Sequence, residues 1–371
     1  MKKLFLITFL AVFMLSCTDK KYDFENMSED VHLFDKGVYF PLLTTDVPFS
    51  RMIEGYEDNI GLQADGIYFI HSNPGNVAIK EEIYTTGDVL TDQSEISFSG
   101  IPDFLCDDNV NLNLANPAFL ARIENNGNVY PFWADIALTP LYNDGTRGQK
   151  INIQRINFED AGIMNIYIAK ERIPRIESMG YTLVECPEMN NIFHKIPQKI
   201  LVDITASSPI TGMSGTIDMH ISYNLDLPLS VERGTTLKYV TQEDGLSDVF
   251  DVVAVSELTL IANCINYYPM DIELDARPYD AEGNPITDIE VTVEGVVRSS
   301  LTNEPVADIQ PSRSTIYIKL NELTPGRITD IDGFDLDLNA SFPASGSMTK
   351  WENIIINLVA DAPSGVDIIT D

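Results

Sequence analysis

Side chains able to do covalent or metal chemistry are few and scattered along this 371-residue chain. The four histidines, His32, His71, His194 and His220, lie far apart, and no His-Glu-x-x-His, phosphate-loop or dinucleotide fingerprint accompanies them. The nearest string to a G-x-S-x-G nucleophile elbow is GMSG at 212–215, whose second glycine comes one residue early. Glycoside hydrolysis needs two carboxyl groups roughly 5–9.5 Å apart. With 56 acids, the sequence offers too many pairs to select one. Cys106, Cys186 and Cys264 follow Cys17 without a C-x-x-C, so they do not form a zinc set. Buried thiols are the expectation for these three, although an exported chain could join Cys106 to Cys186. No enzyme activity is expected.

Two sets of residues remain as candidate sites. Asp330, Asp332 and Asp335 crowd oxygen ligands around Gly333 in TDIDGFD, a possible Ca²⁺ site. The glycine comes too early for an EF-hand loop and the closing Glu is missing, so an acidic turn in water is the competing reading. Asp280 and Glu282 crown another such turn. Trp133 and Tyr267 are the candidate ligand contacts. Trp133 has the parity opposite to Phe132, Ala134 and Ile136, so it should leave the core face of its strand; burial against another segment is the alternative. Tyr267 and Tyr268 straddle the two parities, so one of them should be exposed.

The elements that must carry these residues are short and apolar-alternating, which is the signature of strands. Only Ile173–Met179 and Pro187–His194 suit helices, both brief. The chain also repeats itself. IENNGNVYP at 123–131 and IANCINYYP at 261–269 share the frame I-x-N-x-x-N-x-Y-P at an offset of 138. Over Ile123–Ile153, eight of 31 positions match at that offset, where chance gives roughly two. Both copies then run through alternating apolar residues to a proline and an Asp/Asn/Gly turn, YNDG or YDAEGN, whose residues tolerate positive φ. DITASSPITG at 203–212 recurs as DLNASFPASG at 337–346, and Ile166-Tyr167-Ile168 parallels Ile316-Tyr317-Ile318.

The pattern predicts an all-β fold of two related β-sandwich modules. Module 1 should span 37–226, with an insertion near 56–108, and module 2 should span 227–371. A long strand over 217–229 should pass from one to the other and couple them semi-rigidly. The repeated asparagines, Asn125 and Asn263, read as backbone-bonding residues at strand ends.

The N-terminus opens MKKLFLITFLAVFMLSC. Lys2 and Lys3 precede an apolar run, Leu4–Leu15, that is shorter than the about 20 residues a spanning helix needs, so residues 1–16 read as an export signal. Met14-Leu15-Ser16-Cys17 resembles the lipobox of bacterial lipoproteins, with Met14 in place of the usual Leu. That resemblance implies acylation of Cys17, with 17–36 as lipidated residue and tether. A lipid chain gains about 0.8 kcal/mol per buried CH₂, so several would hold the protein on a membrane without a transmembrane helix.

Together with YDFENMSED and the two long repeat segments, the lipobox makes the chain similar to surface lipoproteins of gut Bacteroidales, a family without assigned function. The likeness implies an outer-membrane location, facing the cell surface or the periplasm, and brings no catalytic residues. The formal net charge of −32 repels nucleic acid, which is excluded as a partner. The expected role is adhesion or ligand binding, with a glycan or another surface protein as partner. A fimbrial-type subunit assembling by strand addition and an envelope hydrolase are the alternatives.

Overall fold

The computed structural model describes residues 30–33, 37–83, 90–102, 105–106, 110–128, 131–207, 214–243, 253–301 and 309–369. Cys17, the export signal and most of the tether lie outside these residues, as do Gly212 and Met213 of GMSG. The regular secondary structure of the described chain is nearly all strand, as the alternation predicts. Glu257–Asn266 is representative. Its sequence ELTLIANCIN buries Leu258, Leu260, Ala262, Cys264 and Asn266 and turns the odd-numbered residues outward. The two brief helical segments are also present, an α-turn at Pro174–Ser178 and a 3₁₀ turn at Met189–Ile192.

Two pairs of sheets form the body. In the first, a seven-stranded sheet packs with the four-stranded sheet of Leu90–Ser97, Lys199–Ser207, Phe132–Leu141 and Ile151–Phe158. In the second, a five-stranded sheet packs with the three-stranded sheet of Thr236–Glu243, Gly333–Ser341 and Asp271–Tyr279. Inward side chains of both pairs belong to one continuous apolar cluster. Gly215–Pro228 is the single long strand expected near 217–229. Beyond it, Ser230–Val231 pairs with Gly346–Ser347, Leu114 bridges Val231 and Ile67 bridges Thr349. The two halves are therefore stitched by backbone bonds as well as by packing. The segment expected as an insertion supplies strands to both sheets of the first pair: Ile60–Leu62, Tyr68–His71 and Gly75–Ile83 to one, Leu90–Ser97 to the other.

The repeated hairpin matches bond for bond at the offset of 138. Gly145 N donates to Tyr142 O and Gly283 N to Asp280 O. Tyr142 N and Asp280 N donate to Thr146 O and Asn284 O, and Gly148 N and Ile286 N to Pro140 O and Pro278 O. Gly145 and Gly283 hold φ of 78° and 80°, which explains glycine at the same place in both turns.

The strand before the hairpin corrects the alignment. Ala121 lies opposite Ile166 and Tyr223, and Ala262 lies opposite Ile316 and Leu358. The equivalent of Asn125 is thus Asn266, not Asn263. Both are buried, and both accept a bond from the backbone two residues on: Gly127 N at 3.2 Å and Tyr268 N at 2.9 Å. Six residues separate Asn125 from Phe132 but only three separate Asn266 from Met270. The difference in loop length shifts the preceding strand by three, and parity with it. Asn263 consequently faces solvent instead of capping a strand end.

Two strands lie where the sequence did not put them. Val38–Pro48, expected to open module 1, runs antiparallel beside Asn353–Ala362 on the edge of the five-stranded sheet. That edge offers a row of backbone groups that need partners, and Leu42 and Val47 pack against the core there. Ile289–Glu294 pairs with Ser312–Glu322, whereas its first-half counterpart Ile151–Phe158 stays beside Phe132–Leu141.

Candidate ligand-binding face

The five-stranded sheet runs in the order Ile289–Glu294, Ser312–Glu322, Glu257–Asn266, Asn353–Ala362, Val38–Pro48. Its outward residues form rows across the strands, because directly paired residues share a face. One row is Tyr317, Ile261, Val359 and Pro41. The next is Thr315, Asn263, Asn357 and Thr44. A third holds Arg313, Ile265, Ile355 and Asp46. Ile261, Ile265, Ile355 and Val359 are half-exposed and stand outside both apolar clusters. Tyr39, opposite Asp361, is 69 % exposed; its phenol is held above its ordinary pKa by a hydrogen bond to Asp361 and by that residue's charge.

The middle row is preorganised. Thr315 Oγ1 donates to Asn263 Oδ1 at 3.0 Å, and Thr44 Oγ1 donates to Asn357 Oδ1 at 2.6 Å. Each threonine fixes its neighbour's amide through the oxygen and leaves the Nδ2 group to donate outward. Asn263 and Asn357 are paired directly, so two oriented amides stand side by side on adjacent strands, flanked on one side by Ile261 and Val359 and on the other by Ile265 and Ile355.

The same face of the first pair is covered at one end, and one residue makes the contrast plain. Tyr167 and Tyr317 occupy the same place in the repeated Ile-Tyr-Ile. Tyr317 is 39 % exposed, whereas Tyr167 is fully buried. The turn at Pro174–Ser178 lies over Tyr167, whose hydroxyl accepts a bond from Ile173 N and donates to Glu177 Oε1. Ile173, Ile176, Tyr181 and Leu183 complete that cover. The cover also carries Arg175, whose guanidinium stacks 3.8 Å above the Phe69 ring and binds the buried Asp226 carboxylate at 2.6 and 2.7 Å.

The residues singled out from sequence fall in different places. Tyr267 continues the outward series of its strand, half-exposed, and its N–H donates to Asn353 O. It therefore sits at one end of the open face. Tyr268 is the buried member of the pair, its hydroxyl bonded to Val47 O at 2.9 Å and its pKa pushed up by desolvation. Trp133 does leave the core face, but Arg155 stacks over its ring at 4.9 Å while held to Asp135 by two bonds of 2.8 Å. One side of that indole is already taken, and it lies on the other sandwich from Tyr267.

The three acids of the calcium candidate splay apart. Asp330 pairs with Arg327, Asp335 accepts a bond from Gln242 at 2.7 Å across the strand, and Asp332 N donates to Tyr279 O. No group of three or more His, Cys, Asp or Glu is placed to hold a metal among the described residues. Asp280 serves its own turn, accepting from Glu282 N and Asn284 N. Cys106, Cys186 and Cys264 are thiols, not joined in a disulfide. His220 lies on the solvent side of its strand, 3.5 Å from Asp218. The edge beside Asn353–Ala362 that a donor strand would fill is occupied by this chain's own Val38–Pro48.

Fold and face together define an all-β protein of sandwich type with an uncovered sheet face in its second half. No helix among the described residues is long and apolar enough to cross a membrane. No family model matches the chain, and no curated protein matches it. Among solved structures it is similar to a protein of Parabacteroides distasonis described as secreted, with TM-score 0.54 and 14 % identity over 90 % of this chain and 98 % of that one. The likeness is one of fold. A tandem CBM22 domain from Paenibacillus barcinonensis Xyn10C also aligns, over 90 % of this chain and 100 % of that one, but at TM-score 0.20 and 10 % identity it carries no argument.

Proposed function

We propose that this protein is an outer-membrane lipoprotein that binds glycans without transforming them. It is built from two copies of one β-sandwich module and anchored through Cys17. The observation that carries the binding role is the pair of threonine-fixed amides, Asn263 and Asn357, set between half-exposed apolar rows on an open sheet. A sugar ring has apolar C–H faces and a rim of hydroxyls. Tyr317, Ile261 and Val359 suit the former, and the amide donors suit the latter. In the first sandwich the place of Tyr317 is taken by the buried Tyr167, and Arg122 and Ser222 stand where the paired amides would be, which supports assigning the role to the second. Export and anchoring rest on the Lys2-Lys3, apolar-run and Cys17 order, and the Parabacteroides neighbour's description as secreted agrees with them.

The test is a glycan array and a polysaccharide pull-down with the chain beginning at Phe24. Retention should fall roughly tenfold for Asn263→Ala, the loss expected of one hydrogen bond, and further for Tyr317→Ala. Trp133→Ala should leave it unchanged. An array without a saturable ligand, or full retention by Tyr317→Ala, overturns the assignment. Cys17→Ser should release the full-length protein from membranes.

A further inference from the structure

A second place in the molecule is built to receive a ligand, and its argument owes nothing to the open sheet. At the junction of the two halves lies a cavity of about 370 Å³. Its wall combines the segment around Asn113, the 188–194 turn and the connection that carries Glu232. The wall is firmly held. Leu114 bridges Val231, Asn113 N donates to Thr235 Oγ1 at 3.1 Å, Glu232 N donates to Asn113 O at 2.7 Å, and Leu112 N donates to His194 O at 2.6 Å. The volume is at the lower end of the range for ligand pockets, about 300–1,000 Å³.

Six of its lining residues are polar: Asn113, Gln149, Asn190, Asn191, His194 and Glu232. Asn190 is the most telling. Its Nδ2 donates to Ala115 O at 3.1 Å, which fixes the amide, and its buried Oδ1 has no partner. Buried acceptors in folded proteins are almost always satisfied, so this oxygen marks a place where the wall itself lacks a donor. His194 is oriented from behind. Its Nδ1 lies 2.9 Å from Asn191 O and 3.2 Å from the Tyr142 hydroxyl, which itself donates to Ile192 O. A proton on Nδ1 satisfies the Asn191 carbonyl and leaves Nε2 to accept. Glu232 adds a further acceptor, and the amides of Asn113, Gln149 and Asn191 add donors.

A ligand filling this site must both donate and accept at several closely spaced points. Carbonyl compounds only accept and amines chiefly donate, whereas hydroxyl groups do both. No Lys or Arg lines the cavity itself, and the one cation shown beside it, Lys170, is paired with the lining Glu232, so the site carries no excess positive charge for an anionic group. The lone carboxylate, Glu232, is already engaged by Lys170 at 3.5 Å, which removes the demand for a cationic ligand. We infer that this junctional cavity is a binding site for one neutral, hydroxyl-rich sugar residue, held end-on by Asn190, His194 and the surrounding amides.

The experiment is a titration of the full-length protein in detergent, following the His194 C2–H resonance by NMR. The probes are glucose, galactose, mannose and N-acetylglucosamine, with glucosamine and glucuronic acid as charged comparators. At least one neutral sugar should shift the His194 signal saturably. Asn190→Ala should weaken that sugar roughly tenfold. Gln149→Ala, at an exposed position where folding is not at risk, should also weaken it. Tyr317→Ala, on the open sheet, should leave this affinity unchanged even if retention of polysaccharide is lost. The inference is overturned if no neutral sugar gives a saturable shift, if only the charged comparators do, or if both pocket variants bind as tightly as the unaltered protein.

Discussion

Glu352 makes this protein's stability depend on pH in a direction unusual for a carboxylate. It is 5 % exposed and sits at the junction of the halves, one residue before Asn353–Ala362. Thr349 N donates to its Oε2 at 3.0 Å, but desolvation dominates and raises its pKa to about 8. The folded state therefore holds a proton that the unfolded chain, titrating near 4.5, gives up. The stabilising contribution is fully present below pH 4.5 and is lost as pH rises through 8. One pK unit corresponds to 1.36 kcal/mol, so the gap amounts to about 5 kcal/mol at its full extent and about 3 kcal/mol at pH 7.

Glu352→Gln removes the titration and keeps an amide oxygen for Thr349 N. The assay is urea unfolding of both proteins from pH 5 to pH 9. Subtracting one from the other cancels the general effect of 56 acids. Near pH 5 the two should be close in stability, and by pH 9 the variant should be the more stable by several kcal/mol. A difference that stays flat across that range refutes the reasoning, since it would mean Glu352 titrates alike in the folded and unfolded chain.

Other substitutions separate the two halves. Asn266→Ala removes three bonds, to Tyr268 N, Met270 O and Arg298 O, and should cost about 2–4 kcal/mol in denaturant unfolding. Asn125→Ala removes one bond, to Gly127 N, and also deletes a buried Nδ2 that has no partner, so it should cost less than about 1 kcal/mol. Arg175→Ala strands the buried Asp226 carboxylate and should cost about 3–5 kcal/mol, with Arg175→Lys a poor substitute because the planar stack on Phe69 is lost.

The sequence carried the fold class well because alternation is local. The burial of Leu258, Leu260, Ala262 and Cys264 is legible from ELTLIANCIN alone. Register between the copies was not, because Asn and Ile recur within the strand and a three-residue difference in the following loop can be absorbed by sliding. The match of Asn125 with Asn263 satisfied the letters, while the backbone bonds select Asn266. The open face was half-visible. Parity singles out Tyr267 together with Tyr268, but it does not separate Tyr317 from Tyr167, because exposure depends on cover supplied by residues 173–183 and not on the Ile-Tyr-Ile itself. The junctional cavity had no sequence signal. Asn113, Gln149, the 190–194 residues and Glu232 come from four separate stretches without a shared period. The place of Val38–Pro48 is a pairing across more than 300 residues, which no window along the chain can see.

That pairing also determines which half the N-terminal segment of the described chain joins. Asp30–Leu33 lies against Val366–Ile369, and Val38–Pro48 against Asn353–Ala362, so the beginning of the described chain is clamped to its end. With the anchor at Cys17, as proposed, the tether would lead into the last half of the polypeptide rather than the first. Any pull on a captured glycan at the open face would then pass to the membrane through one five-stranded sheet, without crossing the joint between the sandwiches.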